Sequence, residues 1–135
     1  VARDTYLEHL KSVPLLAECS KSELQAIASV ADEITFPAGG VLVRQGDLGT
    51  ELFIIVSGTA TVEQDGLTIA TLGSGEFVGE LAVLCDSRRN ATVTAVSDLS
   101  ILVLTRRGLN QVLDDVPDLA KHLLYSVAAR LAPFP

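Results

Sequence analysis

The stretch Phe77-Val78-Gly79-Glu80-Leu81-Ala82-Val83-Leu84, followed a short turn later by Arg89-Asn90-Ala91-Thr92-Val93, decides how this chain is read. A glycine, a carboxylate and a guanidinium fall within a dozen residues of one another, inside a region otherwise rich in β-branched and apolar residues. Gly79 permits close approach of backbone to a ligand. The run from Glu80 to Cys85 can form a short helix whose first free N–H groups point at an anion. Arg89 adds a planar fork that fits two phosphate oxygens. Glu80 would repel a phosphate at close range, so its natural role is to accept hydrogen bonds from sugar hydroxyls. One anion holder and one hydroxyl holder point to a nucleotide.

These residues resemble the phosphate-binding cassette of the cyclic nucleotide-binding domains, which reads approximately F-G-E-L-A-L, a variable turn, then R-A-A-T-V or R-T-A-T-V. The likeness extends over nearly the whole chain. Phe36-Pro37-Ala38-Gly39-Gly40-Val41-Leu42-Val43-Arg44-Gln45-Gly46-Asp47 looks like the family's first hairpin, and Glu51-Leu52-Phe53-Ile54-Ile55-Val56-Ser57-Gly58 like its next strand and glycine turn. A glutamate and an arginine alone would be weak evidence; three ordered motifs at family spacing are strong.

The bulk properties fit one such domain. A chain of 135 residues suffices for a full core, and 48% hydrophobic residues argue against disorder. No apolar run approaches the ~20 residues that span a bilayer. The first ten residues carry Arg3, Asp4, Glu8 and His9, unlike a secretory signal. The net charge of −7 opposes non-specific attraction to nucleic acid. Cys19 and Cys85 lack metal-type spacing, and two thiols without a signal fit a reducing cytoplasm, buried rather than bridged. The expected location is therefore cytoplasmic, with no membrane insertion and no nucleic-acid partner.

Residues 1 to about 31 read as helical. Ser20-Lys21-Ser22-Glu23 is a capping-box pattern, and Leu24, Ile27, Ala28 and Ala31 follow at helical spacing. Val13-Pro14 separates this helix from an earlier one. From Asp32, short β-branched runs alternate with turn residues: 33–36, 41–44, 52–56, 59–63, 67–72, 92–96 and 99–104. Strands punctuated this regularly indicate a β-sandwich or jelly roll rather than alternating β and α units. Asp65-Gly66 marks a tight hairpin. After Thr105 the chain returns to helix, over 107–114 and again from Pro117 to Leu131. Leu119, Leu123, Val127 and Leu131 form an apolar line that Ala120, Leu124 and Ala128 broaden.

Each candidate has an ordinary reading beside the functional one. Glu80 and Arg89 can form a structural ion pair; the cassette context favours ligand binding instead. Gly79 can mark a bulge or turn, whereas Gly39, Gly46, Gly58 and Gly66 read as structural. Thr92 and Val93 are strand residues first. His9 and His122 have no metal-ligand spacing around them. There is no Ser/His/Asp arrangement, no ATPase-type phosphate loop and no zinc-like cluster. The chain reads as a binding protein and not an enzyme, with no metal or cofactor.

The resemblance implies a mainly β domain spanning residues 1–135. Its centre is a double-stranded β-helix (jelly roll) of about eight strands over 32–105, between an N-terminal helical bundle (1–31) and C-terminal lid helices (106–131). The cassette occupies 77–93. The implied ligand is a 3′,5′-cyclic nucleotide, cyclic AMP rather than cyclic GMP. Its phosphate would lie between Arg89 and the backbone N–H groups of Ala82, Val83 and Asn90. Glu80 and the Gly79 backbone would hold the ribose 2′-hydroxyl. Val78, Leu81 and Ala91 complete the cassette set, and Val62, Leu72 or the final helix, through Leu124 or Tyr125, would meet the base.

Two positions depart from the family pattern. A threonine after the arginine accompanies guanine recognition and an alanine accompanies adenine; Asn90 is neither, and its amide can serve a phosphate, a purine or a turn. Arg88 replaces a common proline. The implied partners are a protein effector or a covalently linked output domain, in a regulatory sensor of bacterial type, with a homodimer as a further expectation. The rival reading is a nucleotide-independent interaction module on the same fold, dimerising through the Leu119 face.

Overall fold

The structure, a computed structural model, describes residues 7, 8, 10–12, 16, 17, 19–79, 88–115, 117, 118 and 121. Leu7, Glu8, Leu10 and Lys11 are helical, and the first helix whose bounds are described is α1, Lys21–Val30. Its start is fixed as the sequence implies. The Ser20 N–H donates to Glu23 Oε1 at 2.8 Å, and the Glu23 N–H donates to Ser20 Oγ at 3.2 Å. Two end groups of the helix are thereby satisfied reciprocally. Leu24 and Ile27 turn inward from it.

Among the described residues eight strands follow: β1 Asp32–Phe36, β2 Val41–Val43, β3 Glu51–Ser57, β4 Ala60–Gln64, β5 Leu67–Leu72, β6 Phe77–Val78, β7 Thr92–Ala95 and β8 Leu99–Thr105. They form two four-stranded sheets, in the orders β1-β8-β3-β6 and β2-β7-β4-β5, and every pairing is antiparallel. Each strand thus lies in the other sheet from its predecessor, except at the β4–β5 hairpin, which is the strand order of a jelly roll. β8 runs straight into helix α2, Arg106–Asp115.

The inner strands of the first sheet, β3 and β8, are buried on both faces, whereas its edge strand β1 is mostly exposed. Leu52, Ile54 and Val56 of β3, with Leu102 and Leu104 of β8, pack outward against Leu24 and Ile27 of α1, Leu109 and Val112 of α2, and Leu7, Leu10 and Leu16. The alternate residues Phe53, Ile55, Ile101 and Val103 face Val43, Ala60, Leu72, Val93 and Ala95 of the second sheet. This is why β3 and β8 read as continuous apolar runs instead of alternating ones. The second sheet has one open face, and its edge strand β5 leaves Leu67 and Ile69 exposed.

Strand ends differ from the sequence reading by a residue or two. β4 begins at Ala60 rather than Thr59, β7 ends at Ala95 rather than Val96, and α2 begins one residue earlier, at Arg106. Phe77–Val78 pairs with Ile54 and Phe53 and is a strand the sequence did not declare. Two residues are too few to show a period. The Asp65-Gly66 hairpin is present, with φ of 54° and 82°, the left-handed pair a two-residue turn requires. Cys19 is buried and free, whereas Cys85 lies outside the described residues. So do Val13-Pro14, the apolar line Leu119 to Leu131 and the lid candidates Leu124 and Tyr125.

Candidate functional site

Arg89 sits in the loop that leads into β7, and that loop is pinned on both sides. The Arg89 N–H donates to the Asp47 carbonyl at 2.8 Å, and the Gly46 N–H donates to the Arg89 carbonyl at 2.8 Å. Arg88 Nη1 donates to the Gly46 carbonyl at 2.9 Å. With its backbone held against the loop after β2, the Arg89 side chain has one direction to take, and it runs inward. It is the one buried polar or charged residue among those described, with 8% of its surface exposed.

The guanidinium lies in a slot shaped for it. Nη2 donates to the Glu51 carbonyl at 3.0 Å, and Cζ stands 5.6 Å from the centroid of the Phe53 ring, within cation–π range. Gly49 lies against one part of the group and Gly79 against another; a Cβ at either position would overlap it. At Gly79 that Cβ would also come within 2.7 Å of the Glu51 carbonyl oxygen, and the residue has φ of +92°. Both steric room and backbone conformation therefore demand glycine there. An arginine cannot shed its charge in a protein, so the slot presents a permanent cation with a planar donor fork.

That cation lies in the wall of a cavity of about 480 Å³. Val62 lines it, paired with Ala70 of β5 on one side and Val93 of β7 on the other. The register of β4 with β5 then steps from Val62↔Ala70 to Glu63↔Thr68. Ile69 is the extra residue of this bulge, and both Ile69 and Ala70 line the cavity. Leu72, Phe77, Val78, Ala91 and Val43 add apolar surface, and the polar liners are Gln64, Glu76, Arg89 and Asn90. Size and lining fit a small-molecule site: an apolar pocket with a few convergent polar groups.

Seven residues expected from sequence thus line one cavity: Val62, Leu72, Val78, Gly79, Arg89, Asn90 and Ala91. Glu80, Leu81, Ala82 and Val83 lie outside the described residues. The sequence reading missed Gly49, the Glu51 carbonyl, Phe53 and Gln64. Gly49 had a faint signal, a second glycine three residues after Gly46 where no strand pattern explains it, but its reason is contact with a residue 40 positions later. Among the described residues no cluster of three His, Cys, Asp or Glu side chains is disposed to hold a metal, and no helix is long and apolar enough to cross a membrane.

The cyclic nucleotide-binding domain family model matches residues 33–116, well over half of the chain. The cAMP-dependent protein kinase regulatory subunit of Schizosaccharomyces pombe is 33% identical over 121 residues, which cover 89% of this chain and 29% of that protein. The Thermus thermophilus catabolite activator protein superposes with a TM-score of 0.81 at 30% identity, over 89% of this chain and 59% of its own. The regulatory domain of Toxoplasma gondii PKA, solved with cAMP, gives 0.77 at 28% identity, over 95% of this chain and 50% of its own. This chain belongs to the cyclic nucleotide-binding domain family. It spans less than a third of the length of the S. pombe protein. That relative is eukaryotic and the Thermus protein bacterial, so the expectation of a bacterial source gains no support.

Proposed function

We propose that the chain is a regulatory sensor that binds a 3′,5′-cyclic nucleotide, cyclic AMP in preference to cyclic GMP, and does no chemistry on it. The observation that carries this reading is the buried Arg89 guanidinium in the wall of a largely apolar cavity of about 480 Å³. A phosphate takes the fork of Arg89, joined by backbone N–H groups of Ala82, Val83 and Asn90. The ribose 2′-hydroxyl goes to Glu80 and the Gly79 backbone, beside Val78, Leu81 and Ala91. The base lies against Val62 and Leu72. Binding of cAMP by the T. gondii domain and the regulatory role in the S. pombe protein's name support the assignment. Effective catalysis would require a positioned base or a metal beside the phosphate.

Output follows from the junction of β8 with α2. Glu51, whose carbonyl takes Arg89 Nη2, pairs across the sheet with Thr105, and the Arg106 N–H donates to the Thr50 carbonyl at 3.1 Å. A phosphate that draws on Arg89 therefore acts two residue contacts from the start of α2. The helices after Thr105 respond and close over the base, and a covalently linked output domain or a separate protein effector reads the change. Ligand shifts that equilibrium only by its differential affinity for the closed state. Calorimetric titration with cyclic AMP tests the binding step: the wild type binds and Arg89→Ala does not, with folding retained in both. Absence of binding to well-folded wild type would overturn the reading in favour of an interaction module.

A further inference from the structure

Four polar side chains line the cavity, and two have employment already on the page. Arg89 is held in its slot, and Glu76 Oε1 accepts the Gly73 N–H at 3.0 Å in the turn before β6. The remaining pair is joined: Gln64 Nε2, at the end of β4, donates to the Asn90 carbonyl at 3.1 Å. The hairpin tip that carries Gln64 is itself fixed. Gln45 Nε2 donates to Asp65 Oδ1 at 2.8 Å, the Asp65 N–H returns a bond to Gln45 Oε1 at 2.9 Å, and the Gln45 N–H donates to Thr92 Oγ1 at 2.9 Å. Gln64 thus reaches Asn90 from a rigid base, across 26 positions of sequence.

We infer that Gln64 is a positioning residue for base selection: by holding the Asn90 backbone it fixes where the Asn90 side-chain amide meets the purine. The inference rests on the cyclic nucleotide reading of the cavity. Its physical basis is that adenine and guanine share ribose and phosphate and differ only in the donors and acceptors on their edges. An aliphatic wall distinguishes those edges poorly, whereas an oriented amide distinguishes them well. Bonding at the Asn90 carbonyl acts on orientation and not on charge, so its effect falls on the difference between the two nucleotides.

The test is to measure dissociation constants of cyclic AMP and cyclic GMP by calorimetry for wild type, Gln64→Leu, Gln64→Glu and Gln64→Lys, with melting temperatures alongside. Both nucleotides carry the same phosphate, so altered charge at position 64 cancels in their ratio. Leucine removes the donor and glutamate replaces it with an acceptor; in both, the ratio moves by about fivefold, the size of one lost hydrogen bond. Lysine restores a donor and brings the ratio back to within about twofold of wild type. Gln64 is exposed, so these variants fold. Affinities that change by one common factor, or a ratio unmoved in both Leu and Glu variants, overturn the inference and leave the nucleotide reading intact. A wild type that binds neither nucleotide overturns the two together.

Discussion

Gly49 and Arg89 meet so closely that a Cβ on Gly49 would fall within the Arg89 guanidinium. The arginine that faces the cavity is therefore positioned by an absent side chain 40 residues earlier. Gly49→Ala forces the guanidinium out of its slot, breaking its bond to the Glu51 carbonyl. Cyclic nucleotide affinity falls at least tenfold, and stability falls by about 1–3 kcal/mol from overpacking. Gly73→Ala is the control, since its Cβ meets open space; it leaves affinity unchanged in the same calorimetric assay.

Gly79→Ala is the more damaging change. It combines overlap with Arg89, approach to the Glu51 carbonyl and a φ of +92°. The backbone strain adds about 1–3 kcal/mol to the steric cost. Denaturant unfolding of the two variants orders them wild type, Gly49→Ala, Gly79→Ala, from most to least stable.

Val62 separates affinity from stability. It is half-buried and lines the cavity, so Val62→Ser removes apolar surface from the ligand site more than from the core. Affinity for either nucleotide drops several-fold while the melting temperature shifts little. Leu72→Ala behaves differently, because Leu72 belongs to the core between the sheets. It costs about 2–5 kcal/mol of stability.

Ser20→Ala removes one half of the capping box at α1 and costs about 1 kcal/mol. Nucleotide affinity is unchanged, since α1 packs on the face of the first sheet away from the cavity. Thermal unfolding with and without ligand reads both effects.

Burial above all, and then the carboxylates of Glu23 and Asp118, push the Cys19 thiol above its ordinary range. The thiolate is the nucleophile, so a raised value lowers its fraction at every pH below it. In a Cys85→Ser background, Cys19 is alkylated by iodoacetamide more slowly than glutathione across pH 7 to 9. Denaturation abolishes the difference.

What the sequence made legible follows from local physics. The strands were bounded by turn residues whose conformations are set by one or two positions, such as Asp65-Gly66, and α1 by the four-residue capping box Ser20 to Glu23. β6 was illegible because two residues carry no period. Arg89 could be singled out from its residue type and neighbours. Its slot could not, because Gly49, Glu51 and Phe53 are brought to it by sheet pairing and not by sequence proximity. The same holds for Gln64 and Asn90, whose contact depends on the clasp at Gln45.

The central claim, that Arg89 holds the phosphate of a cyclic nucleotide, is tested most directly by the phosphorus-31 NMR resonance of cyclic AMP titrated with the protein. The account predicts that wild type shifts and broadens this resonance, and that Arg89→Ala, folded by circular dichroism, leaves it at its free position. A resonance unmoved by excess folded wild type, or moved equally by the variant, would contradict it.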